Sequence, residues 1–278
     1  MLSYRHSFHA GNFADVIKHI ILVEILESLT QKDKPFEYID THSGAGLFNL
    51  KSNNALKLQE HETGIGKLSA KSFPELKRYF QVIQSFNNSP KVNVYPGSPS
   101  IAKYFLRPQD CASMFELHPK DHQSLSKNME NKRKIRVNCD DGLKKLDSLL
   151  PPTSRRGLVL IDPSYEVKFE YDQVIKSVEN AYRKFATGIY AIWYPVVDRK
   201  TIERMEGKLI RSGIKNIQRF EVGVAPDSDE RGMTSSGMFV INPPWKLMGT
   251  MSTLLPKLAK TLSEDKQSIF KCDVLVKE

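Results

Sequence analysis

Cysteine is scarce: Cys111, Cys139 and Cys272 are the only three in 278 residues, and they are widely spaced. That spacing offers neither a disulfide framework nor a paired metal knuckle, and it fits a reducing compartment, the cytoplasm. No run of about 18 uncharged apolar residues occurs, which excludes an ordinary membrane-spanning helix. The N-terminal MLSYRHSFHAGNFADVIKH lacks the apolar stretch of an export signal. The full GxGxxG fingerprint is missing as well, which disfavours a bound pyrophosphate and hence a nucleotide-dependent oxidoreductase. Neither internal repeats nor low-complexity segments are present.

What is there is an ordinary soluble composition, 40% hydrophobic and 26% charged, with 41 Lys and Arg against 32 Asp and Glu. The resulting charge of +9 suits a polyanionic partner, nucleic acid first, although a merely solvated basic surface would look the same. The length allows one large α/β domain with an insertion or two modest domains.

Periodicity predicts a leading helix in NFADVIKHIILVEILESLTQ with Asn12 as its N-cap, then a strand, PFEYID, running into the glycine turn THSGAG. From 50 to 96 the pattern is helical and basic, clearest in PELKRYFQVIQSF, with seven Lys or Arg against three Glu. We therefore expect an insertion at 50–96 within a domain formed by 1–49 and 97–278. Helix and strand then alternate through CASMFEL, KIRVNC, GLVLID and IYAIWYPVV. Two successive strands, IQRFEVGVA and SSGMFVINPP, precede a last helix. The order predicts a mostly parallel sheet covered by helices on both faces, with one hairpin-joined antiparallel strand.

Four strand ends carry the chemistry. After the first, Gly44 and Gly46 allow a tight turn and close approach of backbone to a ligand. Glu116 ends the next in FELHP, where a carboxylate can accept from both hydroxyls of a ribose. Asp141 and Gly142 follow the third in CDDG, suited to an adenine edge. Each alone reads as well as a solvated loop; in series they resemble an S-adenosylmethionine site.

The fourth end is IDPSY. A nucleobase amine is a poor nucleophile because its lone pair is delocalised, so an enzyme must hold both N–H protons. Asp162 can accept one, the Pro163 carbonyl the other, and Tyr165 can stack on the base. The string resembles the D/N/S-P-P-Y/F/W motif of amino-group methyltransferases, with Ser164 in place of the second proline. NPPW at 242–245 is the cleaner string but ends the antiparallel strand, so it is expected only to stop that strand, with Trp245 packed below it. Near the N-terminus, Tyr4, Arg5 and Lys18 mix an aromatic ring with cations and suit unstacked bases and phosphates, while His6, His9, His19 and His42 form no familiar zinc spacing. No metal is expected.

Together SYRHSFHAGNFADVIKH, DTHSGAG, YPGSP, FELHP, DDG and DPSYE resemble, over essentially the whole chain, the bacterial family of large-subunit ribosomal RNA adenine-N6 methyltransferases J. The resemblance implies a Rossmann-like class I methyltransferase fold, a seven-stranded sheet with a small helical insertion. It implies S-adenosylmethionine contacts from His19, His42, Ser98, Glu116, Asp141, Gly142 and Asp162, with Asp162 also the acceptor at the target amine and Tyr4 touching RNA. The expected partner is 23S rRNA, naked or in an early assembly particle, met by a monomer. Two other readings remain: an RNA-binding protein with a degenerate site, motivated by Ser164, and an amino-methyltransferase acting on another nucleic acid.

Overall fold

The computed structural model describes residues 5–130, 134–228, 232–263 and 269–278. Helix α1 (Phe13–Thr30) starts where the Asn12 side chain accepts from the Asp15 amide. It is buried on nearly every side, packed between the sheet and neighbouring helices, so its few polar residues are forced to find partners inside the protein.

Strand β1 (Glu37–Asp40) leads to β2 (Leu47–Asn49), which pairs antiparallel with β3 (Val94–Pro96). The chain between them forms α2 (Asn53–Leu58), α3 (Glu60–Thr63) and α4 (Lys77–Gln84). Leu50, Ile65, Leu68, Phe73, Leu76 and Tyr79 of this stretch sink into the same core as α1. Then come α5 (Ser98–Phe105), β4 (Cys111–Phe115), α6 (Pro119–Met129), β5 (Ile135–Asn138), α7 (Gly142–Leu149), β6 (Gly157–Ile161) and α8 (Phe169–Lys184). The chain finishes with β7 (Ile189–Val196), α9 (Arg199–Arg211), β8 (Ile217–Gly223), β9 (Ser235–Ile241), α10 (Leu247–Leu262) and β10 (Ile269–Val276).

The main sheet has the order β10-β8-β9-β7-β6-β1-β4-β5. Six strands run parallel, and β9 runs antiparallel between β7 and β8, as expected. An eighth strand, β10, adds antiparallel to β8 at the edge and was not anticipated, because IFKCDVLV is only half-buried and reads as a tail. Period-two alternation divides the sheet between two cores. Leu158 and Leu160 face α1, α5 and α10, whereas Val159 and Ile161 face α7, α8 and α9.

The NPPW segment does stop β9. Asn242 turns with φ 51° and donates to the carbonyls of Ala186 and Gly188, at the start of β7 and so opposite the edge where β6 ends. Trp245 corrects the expectation: it is 84% exposed, with the Lys246 ammonium 5.1 Å from its ring centroid, rather than packed below the strand.

Candidate active site

The C-terminal ends of β1, β4, β5 and β6 open into one cavity of about 740 Å³. His19, His42, Ser98, Glu116, Asp141, Gly142, Asp162, Pro163, Tyr165 and Lys18 all line it. Arg5 does not, standing just outside the short turn at His6–Phe8, and Tyr4 lies outside the described residues.

At the end of β1 the turn is made by Gly44 and Gly46, with φ of 58° and 77°, backbone that favours glycine. The Gly44 amide donates to Glu116 Oε2 at 2.8 Å and the His118 amide to Oε1 at 2.7 Å. A carboxylate has about four acceptor sites, so both oxygens remain able to accept from a vicinal diol. Burial pushes the Glu116 pKa up against these bonds. Next to it, the Asp141 side chain accepts from the Lys144 amide and caps α7. Gly142 is required by close approach: a Cβ there would sit 2.4 Å from the Thr41 carbonyl oxygen.

Asp40, the last residue of β1, is fully buried and was overlooked in the sequence although it occupies the same strand-end position as the other acids. Its Oδ2 accepts from Tyr38 Oη at 2.6 Å and Ser98 Oγ at 2.7 Å, and its Oδ1 from the His42 amide at 3.3 Å. Burial raises its pKa despite these donors. Ser98 and His42 are therefore fixed by Asp40 at the cavity wall. Burial lowers the His42 pKa to about 4 and that of His19 to about 3, so both rings are neutral at pH 7. His19 Nδ1 lies 2.9 Å from Tyr95 Oη.

At the end of β6, Asp162 Oδ2 accepts from Lys18 Nζ at 2.5 Å. Lys18 is 4% exposed and also meets Asp15 Oδ1 at 2.9 Å. Asp15 in turn accepts from the Gly11 amide and lies 2.8 Å from His6 Nε2. Lys18 was expected to meet RNA phosphates from the surface; instead it is a buried ammonium held between two carboxylates. Burial opposes its charge, but Asp15 and Asp162 outweigh that and raise its pKa. Asp15 is likewise opposed by burial yet held well below the usual carboxylate range by His6, Lys18 and His19. For Asp162 the balance falls the other way, and burial lifts its pKa to about 6 against the attraction of Lys18. One oxygen is committed to Lys18 and the carboxylate still lines the cavity.

Tyr165 adopts φ 52°, a left-handed conformation that costs a non-glycine residue roughly 1–2 kcal/mol. Two contacts hold it there: its hydroxyl donates to the Trp193 carbonyl at 2.8 Å, and its ring stacks on Tyr171 with centroids 4.2 Å apart. These anchors fix the turn after Asp162, so rigidity does not depend on a second proline where Ser164 stands. Trp193 completes this wall, its Nε1 donating to Ser236 and Lys18 Nζ lying 5.7 Å from its ring centroid.

The chain matches, over residues 33–275, the family described as Ribosomal RNA large subunit methyltransferase D, RlmJ. It belongs to that family. Two relatives named Ribosomal RNA large subunit methyltransferase J are similar along nearly their whole length. The one from Haemophilus influenzae is 51% identical over 265 residues and the one from Escherichia coli 50% over 264, each alignment covering 94% of both chains. A crystal structure of a protein from Legionella pneumophila, 39% identical, superposes with a TM-score of 0.86 over 96% of this chain and 98% of that one. The family resemblance read from the sequence is thereby borne out, and with it the Rossmann-like fold. Asp15 and Trp193 on the cavity wall and Asp40 buried behind it are residues that sequence reasoning passed over, and it gave His6 no role. Only Asp40 carried a usable signal, an acid closing a strand before a glycine turn.

Proposed function

We propose that this protein is an S-adenosylmethionine-dependent methyltransferase acting on the N6 amine of an adenine in 23S rRNA. The observation that carries the reading is the Asp15–Lys18–Asp162 chain at the end of β6, beside a Pro163 carbonyl and within the same cavity as the glycine turn and Glu116. Among other donors and acceptors, S-adenosylmethionine needs an acceptor pair for its ribose diol, polar groups for an adenine edge and an amino-acid tail, and close backbone approach. Glu116 suits the diol. Asp141 and the start of α7 suit the adenine, and the neutral His19, His42 and Ser98 suit the tail. Gly44 and Gly142 supply the approach. The residues fit the group.

Bound there, S-adenosylmethionine supplies a methyl carbon made electrophilic by its sulfonium. The chain's own residues prepare the acceptor. An adenine that has left its stack enters between Asp162 and the aromatic wall of Tyr165 and Trp193. Asp162 Oδ1 accepts one N6 proton while Lys18 holds Oδ2, and the Pro163 carbonyl accepts the other proton. The amine lone pair is thereby turned out of the ring and towards the methyl carbon. The amine nitrogen would take the methyl group from the cofactor, and the proton it sheds would pass to Asp162 or to water. Placement rather than acid catalysis does the work.

The proposed acting form is a monomer. The basic stretch at 50–96 and the N-terminal segment with Tyr4 and Arg5 are the proposed rRNA-facing surfaces, either on free rRNA or on an assembling particle. Asp162→Asn tests the central role. Asparagine must present its NH2 either to Lys18 or to the target amine, so one donor meets another. Methyl transfer should fall roughly 10²-fold or more, with S-adenosylmethionine affinity by calorimetry within a few-fold of the native protein. Unchanged transfer would remove Asp162 from this role.

A further inference from the structure

An adenine drawn into the cavity remains joined to the nucleotides on either side, so the RNA strand has to cross the cavity's rim. The loop from Asp162 into α8 forms part of that rim. Glu166, Lys168 and Glu170 line the cavity from it. Between them, Val167 is 58% and Phe169 70% exposed, and Val197, which lines the cavity from the end of β7, is 50% exposed. Single exposed apolar side chains need no explanation, but two on one short loop whose alternate residues line the cavity, with Val197 on the cavity wall, do.

Phe169 is not loose. The Tyr165–Tyr171 stack closes the loop that carries it, and the Glu170 amide donates to the Val167 carbonyl at 2.9 Å. The ring is therefore displayed by a braced turn at the start of α8. Its surroundings select what can lie on it. Glu166, Glu170 and Asp198 line the mouth against one cation of the same loop, Lys168, while Asp172 is paired elsewhere with Lys208. Phosphates are repelled from such a rim, whereas the face of a nucleobase is not.

We infer that Phe169 is a stacking platform for a nucleobase adjoining the target adenine, an RNA subsite where the strand meets the protein by a base rather than by phosphate. This rests on the proposed activity and adds the position of a neighbouring nucleotide to it. Phe169 touches neither the amine nor the methyl donor, so its contribution is to hold the strand in place. Base–aromatic stacking of this kind is tolerant of base identity and depends on a π-face.

The test compares the native protein with Phe169→Ala, Phe169→Leu and Phe169→Trp, using in vitro transcribed 23S rRNA as both acceptor and ligand. The Ala and Leu variants should raise KM for the rRNA about 5- to 150-fold, with kcat, S-adenosylmethionine affinity and melting temperature close to native. Tryptophan should restore KM. Binding of the same transcript, measured by filter retention, should weaken in parallel. A KM and a transcript affinity within twofold of native in Phe169→Ala, or rescue by leucine as complete as by tryptophan, would overturn the platform. Failure of the native protein to methylate the rRNA would instead count against the proposed activity. The ratio of transcript affinities between native and Phe169→Ala protein would still decide the platform.

Discussion

At the scale of single residues, the decisive quantity is the ionisation of Asp162. Burial raises its pKa to about 6 even with Lys18 at 2.5 Å. The ionised carboxylate is the better acceptor for an N–H, and ionisation increases as pH rises through that value. Single-turnover methyl transfer should therefore climb with pH around 6 and level off above about 7. Lys18→Met removes the attraction that opposes burial, so the rise should move to higher pH and the plateau should fall. A flat profile from pH 5 to 8 would contradict the role. The histidines give a complementary expectation. With His19 and His42 lowered to about 3 and about 4, neither changes charge between pH 6 and 8. Calorimetric affinity for S-adenosylmethionine should show no contribution from titration of His19 or His42 across that range. The sequence could name Lys18 but not its surroundings, because its partner Asp162 is 144 positions away and only folding brings the two together.

Elements explain why the strand ends could be read and some neighbours could not. Asn12 before α1 and the acids and glycines after β1, β4, β5 and β6 are local patterns, and local geometry follows from them. The burial of α1 on nearly all sides depends on what packs over it, and the edge strand β10 carries too little buried surface to stand out from a tail. A glycine pair tests the element-scale account. Gly142→Ala places a methyl 2.4 Å from the Thr41 carbonyl oxygen and 2.6 Å from its Cα, backbone atoms that cannot rotate aside. The variant should lose roughly 1–3 kcal/mol of stability and bind S-adenosylmethionine at least about tenfold more weakly. Gly249 in α10 has open space where a Cβ would stand, with no neighbouring group within 4 Å, so Gly249→Ala should be neutral or stabilising by up to about 1 kcal/mol. Chemical denaturation of the two variants checks both signs. Equal effects would mean that close approach at Thr41 does not govern the site.

For the whole molecule, an eight-stranded sheet with six strands running the same way gathers one end of β1, β4, β5 and β6 into a single cavity, while the antiparallel β9 carries NPPW to the far edge. This is why the less perfect IDPSY is the candidate for chemistry. Strand order was legible from the alternation of helix and strand, but the outward-facing Trp245 was not, since proline punctuation says where a strand stops and nothing about what covers the next side chain. The net charge of +9 belongs to this scale too. If phosphates of the rRNA meet the basic surfaces, log affinity should fall linearly with log salt, at least about tenfold between 50 and 200 mM. Phe169→Ala should weaken binding without changing that slope. The most direct measurement of the central claim is to incubate the protein with methyl-labelled S-adenosylmethionine and 23S rRNA, digest the RNA to nucleosides and identify the labelled product. The account predicts label in N6-methyladenosine, from one position, and its near disappearance with Asp162→Asn. Label in any other nucleoside, or in none while the cofactor binds, would contradict it.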